Sequence, residues 1–187
     1  MQADKPDRQR NPLLEAVGLV TIAGAHLEAS LRNLLSCLAQ EPTLLKHANT
    51  ENTSRLIYYC KLALESLDAP EQDRAAISAC LQEAGRLQDK RSRVVHSLLL
   101  HDGNGVDVVA LKPTPKSLGV NRWTATIEEM ERTAHEIEEL GFEMFRCGWN
   151  VVAHKAGMSR IPETEGEQHV HLVTGPEPED LTAASSD

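Results

Sequence analysis

From Pro12 onward, apolar residues recur every three or four positions: Leu13, Leu14, Val17, Val20, Leu27, Leu31, Leu34, Leu35 and Leu38. That spacing is the period of a helix with one apolar face. It constrains the chain more than any other feature, because three later segments repeat it. Composition agrees. Apolar residues make up 41% of the 187 residues and aromatics only 3%. A core of Leu, Val, Ile and Ala suits packed helices better than a sandwich or barrel, and the length suits one domain with tails.

Asn11 is placed to cap, and Pro12 to open, a first helix running to about Ala39. Gly18, Ala23, Gly24 and Ala25 keep part of it thin, which predicts the close approach of another helix. Residues 41–53 read as a connection with room for a helical turn. A second helix spans Thr53 to Leu67, with Leu56, Ile57, Cys60, Leu64 and Leu67 inward. A third opens at Pro70, with Asp68 or Ala69 at its cap. It carries Ala76, Ile77, Cys80, Leu81, Ala84, Leu87, Val94 and Val95 and ends near His96. In "SLLLHDGNGVDVVALKP" the pattern changes. Asp-Gly and Asn-Gly favour a hairpin turn, so strands are expected at 97–101 and 106–111. Pro113 and Pro115 end this element, and 112–123 reads as a loop. Thr126 with Glu129 matches a capping box that opens a fourth helix. Its apolar residues include Met130, Ile137, Met144, Phe145, Trp149 and Val152, and it reaches about Lys155.

The expected fold is all-α: an antiparallel four-helix bundle with a small β-hairpin inserted between helices 3 and 4. Residues 1–11 form a loose N-terminal segment, 12–156 the helical domain, and 157–187 a disordered acidic tail.

The net charge of −9 argues at first against a nucleic-acid partner. The charge is unevenly placed, however. From Gly157 onward, seven acidic residues face one basic residue, Arg160. A local basic site is therefore compatible with the total. Cys37, Cys60, Cys80 and Cys147 form no C-x-x-C pair and fall in helical apolar patterns, so buried reduced thiols are expected. No N-terminal apolar stretch follows a basic region, and no run approaches a membrane span. The expected setting is cytoplasmic, without a membrane partner.

The third helix ends in "DKRSRVVHS". Arg91 and His96 are five residues apart, so their directions on a straight helix differ by roughly 140°. Ser92 and His96, at i and i+4, share a face. Arg91 and His96 make one compact site only if the helix end bends, if Arg91 reaches around, or if a second copy completes the site. The plainer alternative is that these are basic residues interacting with the helix C-terminal dipole.

"RSRVVH" resembles the R-x4-H motif of HEPN domains (higher eukaryotes and prokaryotes nucleotide-binding), and its place at the end of a third long helix is similar to theirs. The likeness spans about residues 12–155. It implies a metal-independent endoribonuclease that needs no cofactor and acts as a homodimer with the motif at the interface. Such enzymes serve in bacterial defence or toxin–antitoxin pairs, with an antitoxin or defence-system partner. Carried over to this chain, His96 is the general acid/base and Arg91 holds the scissile phosphate of an RNA substrate. The products carry 2′,3′-cyclic phosphate ends. Ser92 stands where the family often has Asn, Asp or His, and serine can hydrogen-bond to phosphate or to His96. Leu98 stands where the R-x4-H-x-Y toxin subgroup has tyrosine. Lys90 and Arg93 flank the motif and are the candidates for RNA-backbone contact.

The rival readings are a non-catalytic RNA- or nucleotide-binding module and a protein-interaction subunit. His26 and Glu28 are candidates to line a cleft. His135 with Glu131, Glu138 and Glu139 has a weak metal-ligand pattern that a solvated helix face explains, and the "EQHVH" at 167–171 is two histidines in the tail. No metal site is expected. No P-loop, GxGxxG, GxSxG or HExxH motif occurs.

Overall fold

The structure, a computed structural model, describes residues 11–39, 41–101, 108–113 and 119–163. Most of the N-terminal segment, the Asp-Gly-Asn-Gly turn and the acidic tail beyond Glu163 lie outside the described residues.

Five helices and a small antiparallel sheet make up the described chain. Helix α1 (Pro12–Leu38) begins where Asn11 Oδ1 accepts the N–H groups of Leu13 and Leu14, at 3.1 and 3.3 Å. This satisfies two of the donors that every helix start leaves unpaired. Leu27, Leu31, Leu34 and Leu35 are fully buried. By length and composition α1 could cross a membrane, which corrects the expectation that no segment approaches a span. Here its apolar face packs on the other helices.

Helix α2 (Pro42–Ala48) occupies the segment expected to be a connection, and Glu41 caps it by accepting from the Thr43 N–H. Helix α3 (Thr53–Glu65) is capped by Asn52, and it buries Leu56, Ile57, Cys60 and Ala63. Helix α4 (Glu71–Val95) starts one residue later than expected: Pro70 itself holds the cap position, with no side-chain cap bond. Helix α5 (Ile127–Ala156) opens on Thr126 Oγ1, which accepts from Glu129 N–H at 3.1 Å. It closes on Gly157, whose φ of 65° suits glycine.

Helix directions correct the antiparallel expectation. Gly141 of α5 lies over Ser30 of α1, and Gly148 over Cys37. Numbers rise together, so α1 and α5 run parallel. Glu28 meets Thr53 and Leu31 meets Cys60, so α3 runs with α1 as well. Of the four longer helices described, α4 runs the other way: its Lys90 meets Glu136 of α5 and its Cys80 meets Cys147. The cause is α2, which carries the chain back along α1 before α3 begins level with Glu28.

Between α4 and α5 lies a three-stranded antiparallel sheet, β1 (Leu98–His101), β2 (Val108–Pro113) and β3 (Val120–Ala125), in that order. The expected hairpin is present, with Leu98 opposite Leu111 and His101 opposite Val108. The third strand replaces the end of the expected loop and pairs Pro113 with Val120 through to Val108 with Ala125. Ala110 and Ala125 are buried, and Leu99 and Trp123 pack against the helical core. The sheet thus seats itself at the end of the molecule where α4 finishes and α5 starts.

Residues 157–163, which the sequence assigns to the tail, dock on the helices after α5. Asn150, 1% exposed, donates to the Ile161 carbonyl at 3.0 Å and accepts the Ile161 N–H at 2.8 Å. Trp149 Nε1 donates to the Ser159 carbonyl at 3.1 Å. Arg160 holds buried Asp73 with both terminal nitrogens.

Candidate functional site

The last turn of α4 presents Lys90, Arg91, Ser92 and Arg93, and His96 is the residue at which helical geometry ends, with φ −108° and ψ 21°. At about 100° per residue, consecutive side chains fan around the axis. Lys90 turns to α5, where Nζ meets Glu136 Oε2 at 2.8 Å, and Arg86 takes the same oxygen at 2.9 Å. The Lys90 hydrogen bond, then that of Arg86, holds the Glu136 carboxyl below the usual carboxylate range. Arg93 is exposed. Arg91 turns to α1. The three flanking charges therefore face three directions, and the structure does not gather Lys90, Arg91 and Arg93 into one patch.

Arg91 lies directly over Gly24. A Cβ at Gly24 would stand 2.6 Å from Arg91 Nε and 3.3 Å from its Cζ. The thin section of α1 thus admits a guanidinium at Gly24, not a helix backbone, while Gly18 faces no atom within 4 Å. Arg91 Nε is buried with no hydrogen-bond partner, and so is Gln88 Oε1 one turn earlier. Among the described residues no carboxylate pairs with Arg91, whereas Arg32, Arg74, Arg86, Arg132, Arg146 and Arg160 each have one. An uncommitted, partly buried guanidinium is costly unless an anion satisfies it.

Ser92 is half-buried, and its carbonyl accepts the His96 N–H at 3.2 Å. The Ser97 hydroxyl donates to the Arg93 carbonyl. The backbone of His96 and the side chain of Ser97 therefore cap the helix, and the His96 side chain is exposed.

The other candidates have structural or surface roles. Glu28 accepts from Thr53 Oγ1 at 3.0 Å and from Arg32 at 3.4 Å, pinning the start of α3 to α1. His26 is exposed on α1. His135 is exposed and pairs with Glu139 at 3.3 Å.

Sequence reasoning missed a second cluster. Cys80 and Cys147 are 4% and 3% exposed, and their sulfurs lie 4.0 Å apart. Glu143 Oε1 is 3.6 Å from Cys147 Sγ. The i,i+4 spacing of Glu143 and Cys147 was visible, but the approach of Cys80 depends on the register of α4 against α5.

Comparison with protein-family models, with curated proteins and with solved structures finds no match to this chain.

Proposed function

We propose that this chain is a HEPN-like, metal-independent endoribonuclease that works as a homodimer. In this reading α1, α3, α4 and α5 close as a four-helix bundle, and Arg91 and His96 carry the chemistry. The observation that supports it best is Arg91 itself: a guanidinium seated over Gly24, with a buried Nε and no carboxylate beside it among the described residues. That arrangement suits a phosphate.

The chemistry follows from the two groups. Arg91 donates charge-assisted hydrogen bonds to the scissile phosphate and stabilises the added negative charge of the phosphorane. His96 takes the proton of the RNA 2′-hydroxyl, or protonates the leaving 5′-oxygen. The 2′-oxygen forms the new P–O bond as the 5′-oxygen departs, leaving a 2′,3′-cyclic phosphate. DNA lacks the nucleophile. Ser92 is the orienting residue between them, and exposed Arg93 touches the RNA backbone. Lys90 joins only if its pair with Glu136 opens. Arg91 turns inward and His96 outward, so one chain supplies a half-site and a second copy completes it. A bacterial defence or toxin–antitoxin role in the cytoplasm, with an antitoxin or other defence-system partner, completes the reading.

Two observations favour a second reading, a non-catalytic RNA- or nucleotide-binding or protein-interaction module. Glu136 already occupies Lys90, and Arg91 and His96 diverge within one chain. The test is to incubate the full chain with mixed RNA in chelator, beside His96→Ala. Cleavage by the wild type alone supports the enzyme. RNA retention without cleavage by either supports the binding module, and equal cleavage by both removes His96 from the chemistry.

A further inference from the structure

The cluster of Cys80, Glu143 and Cys147 has the dimensions of a metal coordination shell. Zinc bonds thiolate sulfur at about 2.3 Å and carboxylate oxygen at about 2.1 Å, so tetrahedral angles put two sulfurs about 3.8 Å apart and a sulfur and an oxygen about 3.6 Å apart. The observed separations are 4.0 Å for Cys80 Sγ to Cys147 Sγ and 3.6 Å for Cys147 Sγ to Glu143 Oε1. All three ligand atoms lie within 4.8 Å of one another. A disulfide would need its sulfurs at about 2.05 Å.

We infer that Cys80, Glu143 and Cys147 form a binding site for a thiophilic divalent cation, of which Zn(II) is the type. The surroundings fit that assignment. Arg146 donates to both carboxylate oxygens of Glu143, from Nε to Oε2 at 2.7 Å and from Nη2 to Oε1, which fixes the carboxylate's orientation and leaves the second lone pair of Oε1 for a metal. Two thiolates, one carboxylate, the Arg146 guanidinium and a divalent ion sum to zero charge, which suits a buried site. The two thiol protons leave as the ion enters. A cavity of about 270 Å³ borders Cys147, lined also by Asp73, Asn150 and Arg160. It offers an entry path and room for a fourth ligand, so the segment after α5 would roof the site.

Cys80 lies eleven residues before Arg91 on α4, roughly 16 Å of helix. The metal site is therefore separate from the RNA site, and its test does not depend on RNA cleavage.

The experiment is a Co(II) titration of the reduced, metal-stripped full chain, followed by displacement with Zn(II). The expected result is one equivalent of cobalt with tetrahedral visible bands and a thiolate charge-transfer band. Cys80→Ser and Cys147→Ser should each lose that band, and Glu143→Gln should bind at least about 10-fold more weakly. Cys37→Ser and Cys60→Ser should match the wild type. Circular dichroism of each variant separates lost ligands from lost fold. Should a serine variant not fold, a Zn(II)-dependent rise in melting temperature that is present in wild type and smaller in Glu143→Gln carries the same information. The assignment is overturned by a wild type with no tetrahedral cobalt spectrum, by a band undiminished in both serine variants, or by a Cys80–Cys147 disulfide and no metal in the protein as purified.

Discussion

Two residues decide the character of the site, and only one of them bears a charge. Arg91 owes its position to Gly24, because any larger residue meets its Nε at 2.6 Å. The clashing atom belongs to a flexible side chain, so Gly24→Ala should move Arg91 rather than unfold the protein. Alanine in a helix interior is favoured over glycine by about 0.8–1 kcal/mol. The expected outcome is a melting temperature equal to or above wild type together with weakened RNA binding, measured by thermal unfolding and by titration with labelled RNA. A large loss of stability with unchanged RNA affinity would show that Gly24 serves packing and not Arg91. At Glu136 the prediction concerns pH. Its folded-state pKa is lowered, so the stabilising contribution is present above the unfolded carboxylate value and is lost as pH falls through the folded one. The Glu136→Gln variant should therefore be less stable by about 0.2–1 kcal/mol at neutral pH. That gap should close below about pH 4. Urea titrations at several pH values check this. Releasing Lys90 should also steepen the salt dependence of RNA binding.

Helix signals in the sequence were local, and the structure bears them out: the Asn11 cap, the Thr126 cap and the end of α4 at Val95 all follow from short-range hydrogen bonding. Directions were not local. Nothing in residues 41–53 announces that α2 will turn the chain back and leave α1, α3 and α5 parallel. Strand β3 was hidden because only Trp123 and Ala125 turn inward and two prolines precede it. On α5, Phe145, Trp149 and Val152 read as core from their helical spacing yet are exposed, because the inward face is held by Met144, Cys147, Gly148 and Val151. The motif was legible as residue types, but the depth of Arg91 against α1 was not, since that needs the register of two helices. The docked segment after α5 gives the element-scale prediction. Asn150→Ala removes both of its bonds to Ile161 and should cost about 1–3 kcal/mol in unfolding free energy. It should also speed proteolysis between Gly157 and Glu163. Unchanged stability and cleavage rate would mean that this segment is not held as described.

At the scale of the whole molecule, the parallel run of α1 and α5 and the opposite run of α4 place the motif and the sheet at one end and the cysteine cluster part-way toward the other. Close packing at Gly141 and Gly148 sets the α1–α5 contact, with Ser30 Oγ and Cys37 Sγ each 3.1 Å from where a Cβ would stand. The proposed RNA site at the motif end thus rests on packed helices, one of which is thinned at Gly24 where Arg91 lies. In the proposed dimer each site takes Arg91 from one copy and His96 from the other. Mixing tests it. The wild type should cleave RNA in chelator, and Arg91→Ala and His96→Ala should each be inactive alone. After subunit exchange in equal amounts, half the dimers are mixed and one of their two sites is intact, so about a quarter of wild-type activity should return. A wild type that leaves RNA whole, or a mixture as inactive as its components, would contradict the account.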